Sequence, residues 1–161
     1  KKSRRMILDA IQHDIKEAMK AKDSFRLSVL RMAQGAFQTK QIEKRAKTGE
    51  QGVSLTDDEA MDILRKEVKK RKDAVSEYKK VGRPELAKKE EEEANIIYAY
   101  LPAEIDDSLL DAIVMKAIAG MHGATEKDFG KIMGLVIKET KGNASGERVQ
   151  ASVKRHLSHP A

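Results

Sequence analysis

The sequence contains no cysteine and no tryptophan, and aromatic residues make up only 4% of its 161 positions. The lack of cysteine excludes disulfides, zinc–thiolate sites and thiol nucleophiles. With 10 glycines and 3 prolines, turn-forming residues are too scarce for a sandwich or barrel of many short strands. No apolar run approaches the roughly 18 residues that span a bilayer, so no membrane contact is expected. These absences favour an all-α protein with an aliphatic core.

Charge, by contrast, is abundant: 36% of the residues are charged and the formal net charge is +6. Residues 1–101 hold 24 basic and 18 acidic residues, which accounts for the whole surplus. The remainder is neutral but divided, with 2 basic and 6 acidic residues over 102–130 and 6 basic and 2 acidic over 131–161. Such a surplus is consistent with a nucleic-acid partner and equally with an ordinary solvated surface.

Apolar residues recur with the helical period through the first hundred positions. Asp23 is expected to cap a second helix, whose two apolar stripes place it at the centre of its domain. Thr56 and Glu59 form a capping box, and Pro84 restarts the chain after Gly82. The predicted helices begin at Ile7, run from Asp23 to about Lys47, and form a hairpin of 56–81 against 84–101.

Beyond a predicted hinge at Pro102, three shorter helices are expected. Asp106 or Asp107 caps the first, a capping box from Thr125 to Asp128 opens the second, and Ser145 caps the third. Gly130 and Gly134, four residues apart, are expected to permit close helix packing. The predicted fold is all-α, with an N-terminal helical hairpin or bundle domain over 6–101 and a small three-helix domain over 102–161. Residues 1–5 resemble a processed end.

Nothing in the sequence indicates a self-contained active site, so no catalytic residue, metal or cofactor is predicted. His13 and Glu17 lie one helical turn apart, but two ligands do not make a metal site. The glycines of the second half lack both the spacing and the preceding strand of a phosphate-binding loop.

Basic residues cluster on two predicted helices. Six cations lie between Arg65 and Lys72. Glu67 and Asp73 dilute this patch, and a charged outer face of the helix is the alternative to phosphate binding there. Backbone amides around 142–146, ahead of a helix, are placed to receive a phosphate. The scarcity of stacking aromatics argues against single-strand readout and leaves shape-directed contact with a folded RNA. The outward cations of the first cluster are Lys66, Lys69, Lys70 and Lys72, and the second surface comprises Lys131, Lys138, Lys141, Arg148, Lys154, Arg155 and His156.

Several segments, all in family order from about Asp9 to Leu157, resemble the GatB/YqeY family. The residues 14–20, 26–32 and 67–73, and the Tyr-Leu-Pro sequence at 100–102, are similar to the N-terminal part of free-standing YqeY proteins. The sequence 128–149 resembles the tail signature, in which a Gly-Lys-x-Met-Gly helix is followed by Lys-Gly-x-Ala and a final helix. At Ile137 and Glu139 the chain departs from many free-standing relatives and looks more like the amidotransferase tail itself.

The resemblance implies a tail similar to that of the B subunit of the tRNA-dependent Asp/Glu amidotransferase, where the tail recognises tRNA. It therefore implies tRNA as a partner, with an amidotransferase or aminoacyl-tRNA-related protein as a second one. The catalytic segments of that subunit are missing from this chain. The activity that the resemblance implies, carbon–nitrogen ligase with glutamine as amide donor, is therefore a label for the family and not for this chain alone. The positions that the resemblance implies as tRNA contacts are Lys131, Lys141, Gly142, Lys154 and Arg155.

Two hypotheses follow. The leading one is a YqeY-like, tRNA-binding accessory related to amide transfer. The alternative is a protein-interaction adaptor without RNA binding, which would use Tyr98, Tyr100 and Leu101 together with the acidic first helix of the tail. A cytoplasmic location is expected, or an organellar matrix if the N-terminus is a trimmed transit segment.

Overall fold

The computed structural model describes residues 6–158, so the predicted processed end at 1–5 lies outside the described residues. Over that range the chain folds into seven α-helices and one 3₁₀ turn, with no strand among the described residues. The all-α prediction is confirmed. The helices are α1 Met6–Lys20, α2 Ser24–Thr48, α3 Asp57–Lys80, α4 Pro84–Tyr98, α5 Asp107–Ala119, α6 Phe129–Thr140 and α7 Gly146–Ser158.

The chain divides between Leu101 and Pro102 into two compact units, here called the N-unit (α1–α4) and the C-unit (α5–α7). Among residues 6–158, no helix is both long and apolar enough to cross a membrane.

Helix α2 supplies much of the N-unit core, as its pattern predicts. The Asp23 carboxylate accepts a hydrogen bond from the Arg26 amide at 3.1 Å and so caps the helix. One predicted apolar stripe consists of Leu27, Leu30, Ala33 and Phe37, and all but Leu27 are buried. The other consists of Phe25, Val29, Met32 and Ala36, of which Val29 is buried and Met32 is half exposed. Burial on two sides is therefore only partial. The buried residues of α2 are Val29, Leu30, Ala33 and Phe37.

Helices α3 and α4 form the predicted hairpin. Both hydrogen bonds of the capping box are present, each at 3.2 Å between Thr56 and Glu59. The chain reverses at Gly82, whose φ of +71° favours glycine, and Pro84 opens α4. Helix α4 ends at Tyr98 rather than at residue 101, because the amides of Tyr100 and Leu101 bond three residues back and tighten the backbone into a turn.

The C-unit packs α5, α6 and α7 around a separate core. Asp106 caps α5 at 2.8 Å, and the Ser145 hydroxyl accepts from the Arg148 amide at 3.2 Å at the start of α7. The second predicted capping box is present, although it opens a 3₁₀ turn, Glu126–Asp128, that leads into α6. The fully buried core side chains are Leu110, Val114, Ile132, Val136, Val149 and Val153.

The prediction that Gly130 and Gly134 allow close helix packing is wrong. Both glycines are exposed, and a Cβ built at either position would meet no atom within 4 Å. Helix α6 turns its buried side, with Ile132 and Val136, away from them. The glycines therefore lie on the solvent side of α6.

Candidate nucleic-acid interface

One row of exposed residues runs along α6. Lys131, Gly134 and Lys138 are spaced by three and four residues, so they share one side of the helix. These residues are exposed. A third lysine, Lys141, is also exposed and follows at the end of α6, where its backbone is left-handed with φ of +52°. Within residues 6–158 none of these three lysines pairs with a carboxylate. We call this set the α6 lysine row: Lys131, Lys138 and Lys141.

The loop after α6 is partly engaged within the chain. The Asn143 amide donates to the Thr140 carbonyl at 2.9 Å, and the Asn143 carbonyl accepts from the Ile105 amide at 2.9 Å. Gly142 has φ of +75°, which directs the chain from α6 toward α7. The sequence predicts that backbone amides over 142–146 can bind a phosphate. One of them, the amide of Asn143, already donates a hydrogen bond within the chain.

Arg148 was expected on the basic surface but has a structural role. Its guanidinium donates to Glu104 at 3.0 Å, to Asp107 at 2.8 Å and to the Ile105 carbonyl at 2.8 Å. These hydrogen bonds, that to Asp107 first, raise the pKa of Arg148 further above its ordinary value. With its side chain only 28% exposed, Arg148 joins the start of α7 to the segment leading into α5.

The other tail cations predicted as tRNA contacts lie on α7. Arg155 is 59% exposed yet donates to Asp111 of α5 at 2.5 Å. Asp111 also accepts from the Ser152 hydroxyl at 2.6 Å, and this bond, together with the nearby Arg155 charge, lowers the pKa of the carboxyl. Lys154 is exposed on the same helix.

The four α3 cations are exposed, but two of them face carboxylates. Lys66 lies 3.1 Å from Asp62 and Lys70 lies 3.5 Å from Glu67, each within one helical turn. Lys72 sits over the Tyr98 ring at 5.6 Å, and Lys69 is exposed. Exposed ion pairs of this kind contribute little to the free energy of folding. The carboxylates therefore reduce the local positive charge, but the lysines can still exchange them for another anion.

Arg71, one of the six cations in that segment, is withdrawn from the surface. It is 5% exposed and contacts Glu67 at 2.8 Å and Glu93 of α4 at 3.3 Å. The sequence contains a signal for this burial, since Arg71 occupies the one polar step of the apolar repeat in α3, whose other members are Met61, Leu64, Val68, Val75 and Tyr78. The pairing with Glu93 was missed because it lies 22 residues away.

A second polar cluster was also missed. The Tyr100 hydroxyl donates to Asp14 of α1 and accepts from Arg26 of α2 at 3.1 Å. Burial, followed by the bond to Asp14, raises the pKa of Tyr100 to about 12. The cluster ties the end of the N-unit to its first two helices. Tyr100, which the adaptor hypothesis treated as a contact residue, therefore has its hydroxyl engaged inside the chain.

The described residues hold no group of three or more His, Asp or Glu side chains suited to a metal ion. What the tail surface presents is fixed positive charge beside exposed helix backbone. Cations in such positions can contact phosphates.

The family model of the YqeY-like proteins matches residues 8–157. Several curated relatives bear the name Altered inheritance of mitochondria protein 41, mitochondrial. The one from Lachancea thermotolerans is 32% identical over 91% of this chain and 79% of its own length. That from Pyrenophora tritici-repentis is 26% identical over 86% of this chain and 74% of its own. That from Vanderwaltozyma polyspora is 31% identical over 60% and 52%, respectively.

Proposed function

Because this chain belongs to the YqeY-like protein family, we propose that it is a tRNA-binding accessory module related to tRNA-dependent amide transfer. The observation that carries the proposal is the α6 lysine row, three exposed cations of the tail signature that no carboxylate of residues 6–158 neutralises. Neutralising phosphates and releasing their counterions is what such cations do when they meet RNA.

The mode of recognition that we propose is contact with the phosphates of a folded RNA. The phenylalanines pack into or against the two cores, and the Tyr100 hydroxyl is engaged by Asp14 and Arg26. Among residues 6–158 Tyr98 is the one phenylalanine or tyrosine side chain that is exposed, at 40%, so these residues present no row of aromatics on which successive bases could stack. Exposed backbone at Gly134, between Lys131 and Lys138, favours close approach of a sugar–phosphate chain.

In this proposal the chain contributes binding, and the bond chemistry of amide transfer belongs to a partner. A glutamine-dependent carbon–nitrogen ligase would supply the active site, while this module holds the tRNA. Amide transfer by the purified chain alone, measured with misacylated tRNA and glutamine, would contradict this division of roles.

We further propose an organellar rather than a cytoplasmic location, since the names of the relatives place those proteins in mitochondria. Protease protection of the endogenous protein in isolated mitochondria tests the location. Recovery in the cytosolic fraction alone would refute it.

The central experiment is a titration of the chain with unmodified tRNA at salt concentrations from about 50 to 300 mM. The triple variant Lys131→Gln, Lys138→Gln and Lys141→Gln is expected to bind about tenfold or more weakly at the middle of that range. Its plot of log affinity against log salt should be shallower by about 2 to 3, because each lysine lost removes about one phosphate contact.

A matched control removes three exposed lysines of the N-unit that lie outside both basic clusters: Lys16→Gln, Lys20→Gln and Lys47→Gln. Both triple variants change the net charge equally, so only a localised interface distinguishes them. Equal losses in the two variants, or no binding at the lowest salt, would exclude the α6 lysine row as the RNA contact.

A further inference from the structure

Helices α5 and α6 leave an open groove of about 450 Å³ between them. Its floor is apolar and mostly small, with Ala112, Ile113 and Ala117 from α5 and Leu135 from α6. Leu135 is 45% exposed and lines the groove, so it adds a large apolar side chain to the surface that a partner would cover. The lysines of the α6 lysine row do not line this groove, but Leu135 lies four residues after Lys131 and three before Lys138, so the groove borders the surface proposed for RNA.

The walls of the groove carry opposite charges. Lys116 lies on the α5 wall and Glu139 on the α6 wall, and both side chains are exposed. In the part of the chain that the structure describes, neither forms an ion pair, with the other or with any third residue. Each wall therefore offers an uncompensated charge to whatever covers the groove.

We propose that this groove is a homodimer interface, in which α5 and α6 of one copy pack on α5 and α6 of a second copy. A twofold axis brings the same patch of both copies together, so the patch must complement itself. One positive wall and one negative wall satisfy that requirement, because Lys116 of each copy then faces Glu139 of the other. The result is a four-helix arrangement that covers Leu135 in both copies.

The apolar face extends beyond the groove on α5. Leu109 is half exposed and lies four residues before Ile113, so it continues the same side of the helix. From residue 109 to 120 this side is about 18 Å long. A face of that length and only two helices wide buries less surface area than a standard stable interface. The proposed dimer is therefore weak, and its population depends on protein concentration.

Sedimentation equilibrium of the full chain from about 5 to 500 µM tests the proposal, and a reversible monomer–dimer equilibrium is expected. Lys116→Glu alone and Glu139→Lys alone should each raise the dissociation constant about tenfold, since every dimer then contains two like-charged contacts. An equimolar mixture of the two variants should recover the wild-type constant, because the mixed dimer pairs opposite charges at both positions.

Two aspartate variants provide the matched control for the apolar contact. Leu135 and Ile137 lie on the same helix and are both 45% exposed, but only Leu135 lines the groove. Leu135→Asp should abolish the dimer and Ile137→Asp should leave it unchanged, with circular dichroism verifying that both variants remain helical.

A wild-type chain that is monomeric at the highest concentration would overturn the proposal, even if the groove then bound a helix of another protein. So would a mixture of the charge variants that fails to recover association, or equal effects of the two aspartate substitutions. The triple lysine variant used in the RNA titration should dimerise normally, so failure of either proposal leaves the other testable.

Discussion

At the residue scale, Arg71 is a charged side chain in a position that the helical pattern assigns to the core. It is 5% exposed, and its guanidinium bonds to Glu67 and Glu93, whose side chains are themselves 21% and 15% exposed. A planar guanidinium can serve two carboxylates at once, which a lysine ammonium does less well. The cluster joins α3 to α4 across the hairpin.

Replacing Arg71 by alanine is expected to lower the free energy of unfolding by about 3 kcal/mol. The substitution leaves two partly buried carboxylates facing each other without their cation. Urea denaturation at neutral pH measures the change. Lys69→Ala, an exposed substitution on the same helix, should cost less than about 0.5 kcal/mol, and equal losses in the two variants would contradict the role assigned to Arg71.

Tyr100 gives a prediction that depends on pH. Its pKa is raised to about 12 in the folded chain, so the neutral phenol is favoured by folding. The stabilisation is therefore complete below the pKa of an unfolded tyrosine, about 10, and is lost as pH rises through the folded value. Tyr100→Phe should cost about 1 kcal/mol at pH 7, and the difference from wild type should shrink between pH 10 and 12.

The measurement is paired urea unfolding of wild type and Tyr100→Phe across that pH range. Tyr98→Phe serves as the control, because the Tyr98 ring lies at the surface beneath Lys72. A wild-type advantage as large at pH 12 as at pH 10 would show that the hydroxyl proton is not what stabilises the cluster.

At the element scale, helix α6 has a buried side that packs in the core and a solvent-facing side that contains Gly130 and Gly134. Ile132, Val136 and Thr140 are buried at intervals of four. Gly134 has no positive φ and no neighbouring atom near its missing Cβ. Glycine inside a helix costs about 1 kcal/mol relative to alanine, so α6 is less stable than its own packing would allow.

Gly134→Ala is accordingly expected to raise the free energy of unfolding of the C-unit by about 0.5 to 1 kcal/mol. Gly123→Ala is the control in the same unit, where φ of +90° makes a side chain strained and the same substitution destabilising. Thermal unfolding followed by circular dichroism measures both. A destabilised Gly134→Ala variant would mean that the α6 backbone is not as open at this position as the structure describes.

At the scale of the whole molecule, two separate cores account for the division between Leu101 and Pro102. The N-unit core includes Ile11, Leu30, Leu64 and Ile97. We predict that fragments 1–101 and 102–161 each fold alone, with the shorter one less stable because small domains bury a smaller share of their surface. Amide dispersion in NMR spectra of each fragment tests this, and a C-terminal fragment without dispersed signals would refute it.

Net charge is a poor guide to the proposed RNA-binding surface. The formal surplus of +6 belongs to residues 1–101, where lysines such as Lys66 and Lys70 face nearby carboxylates. The C-unit is neutral in sum, yet its α6 lysine row has no carboxylate partner among residues 6–158. The spatial separation of charges, rather than their total, determines which surface can attract phosphate.

The helices and most of their ends follow from the amino-acid sequence alone. Apolar spacing, the caps at Asp23, Asp106 and Ser145, and the capping box at Thr56 act over three or four residues, so their hydrogen bonds can be inferred from neighbouring letters. The family likewise follows from ordered local motifs. The end of α4 differs from the prediction by three residues, because the apolar repeat continues to Leu101 while the backbone already tightens into a turn after Tyr98.

Which charged residues are available to a partner depends on how the helices pack. Arg71 with Glu93, Arg148 with Glu104 and Asp107, and Tyr100 with Asp14 join residues 22 to 86 positions apart. The groove between α5 and α6 arises in the same way, from how two helices pack. Periodicity shows that a side chain lies on one side of a helix, but the helix that packs against that side determines whether the side chain is paired, buried or exposed.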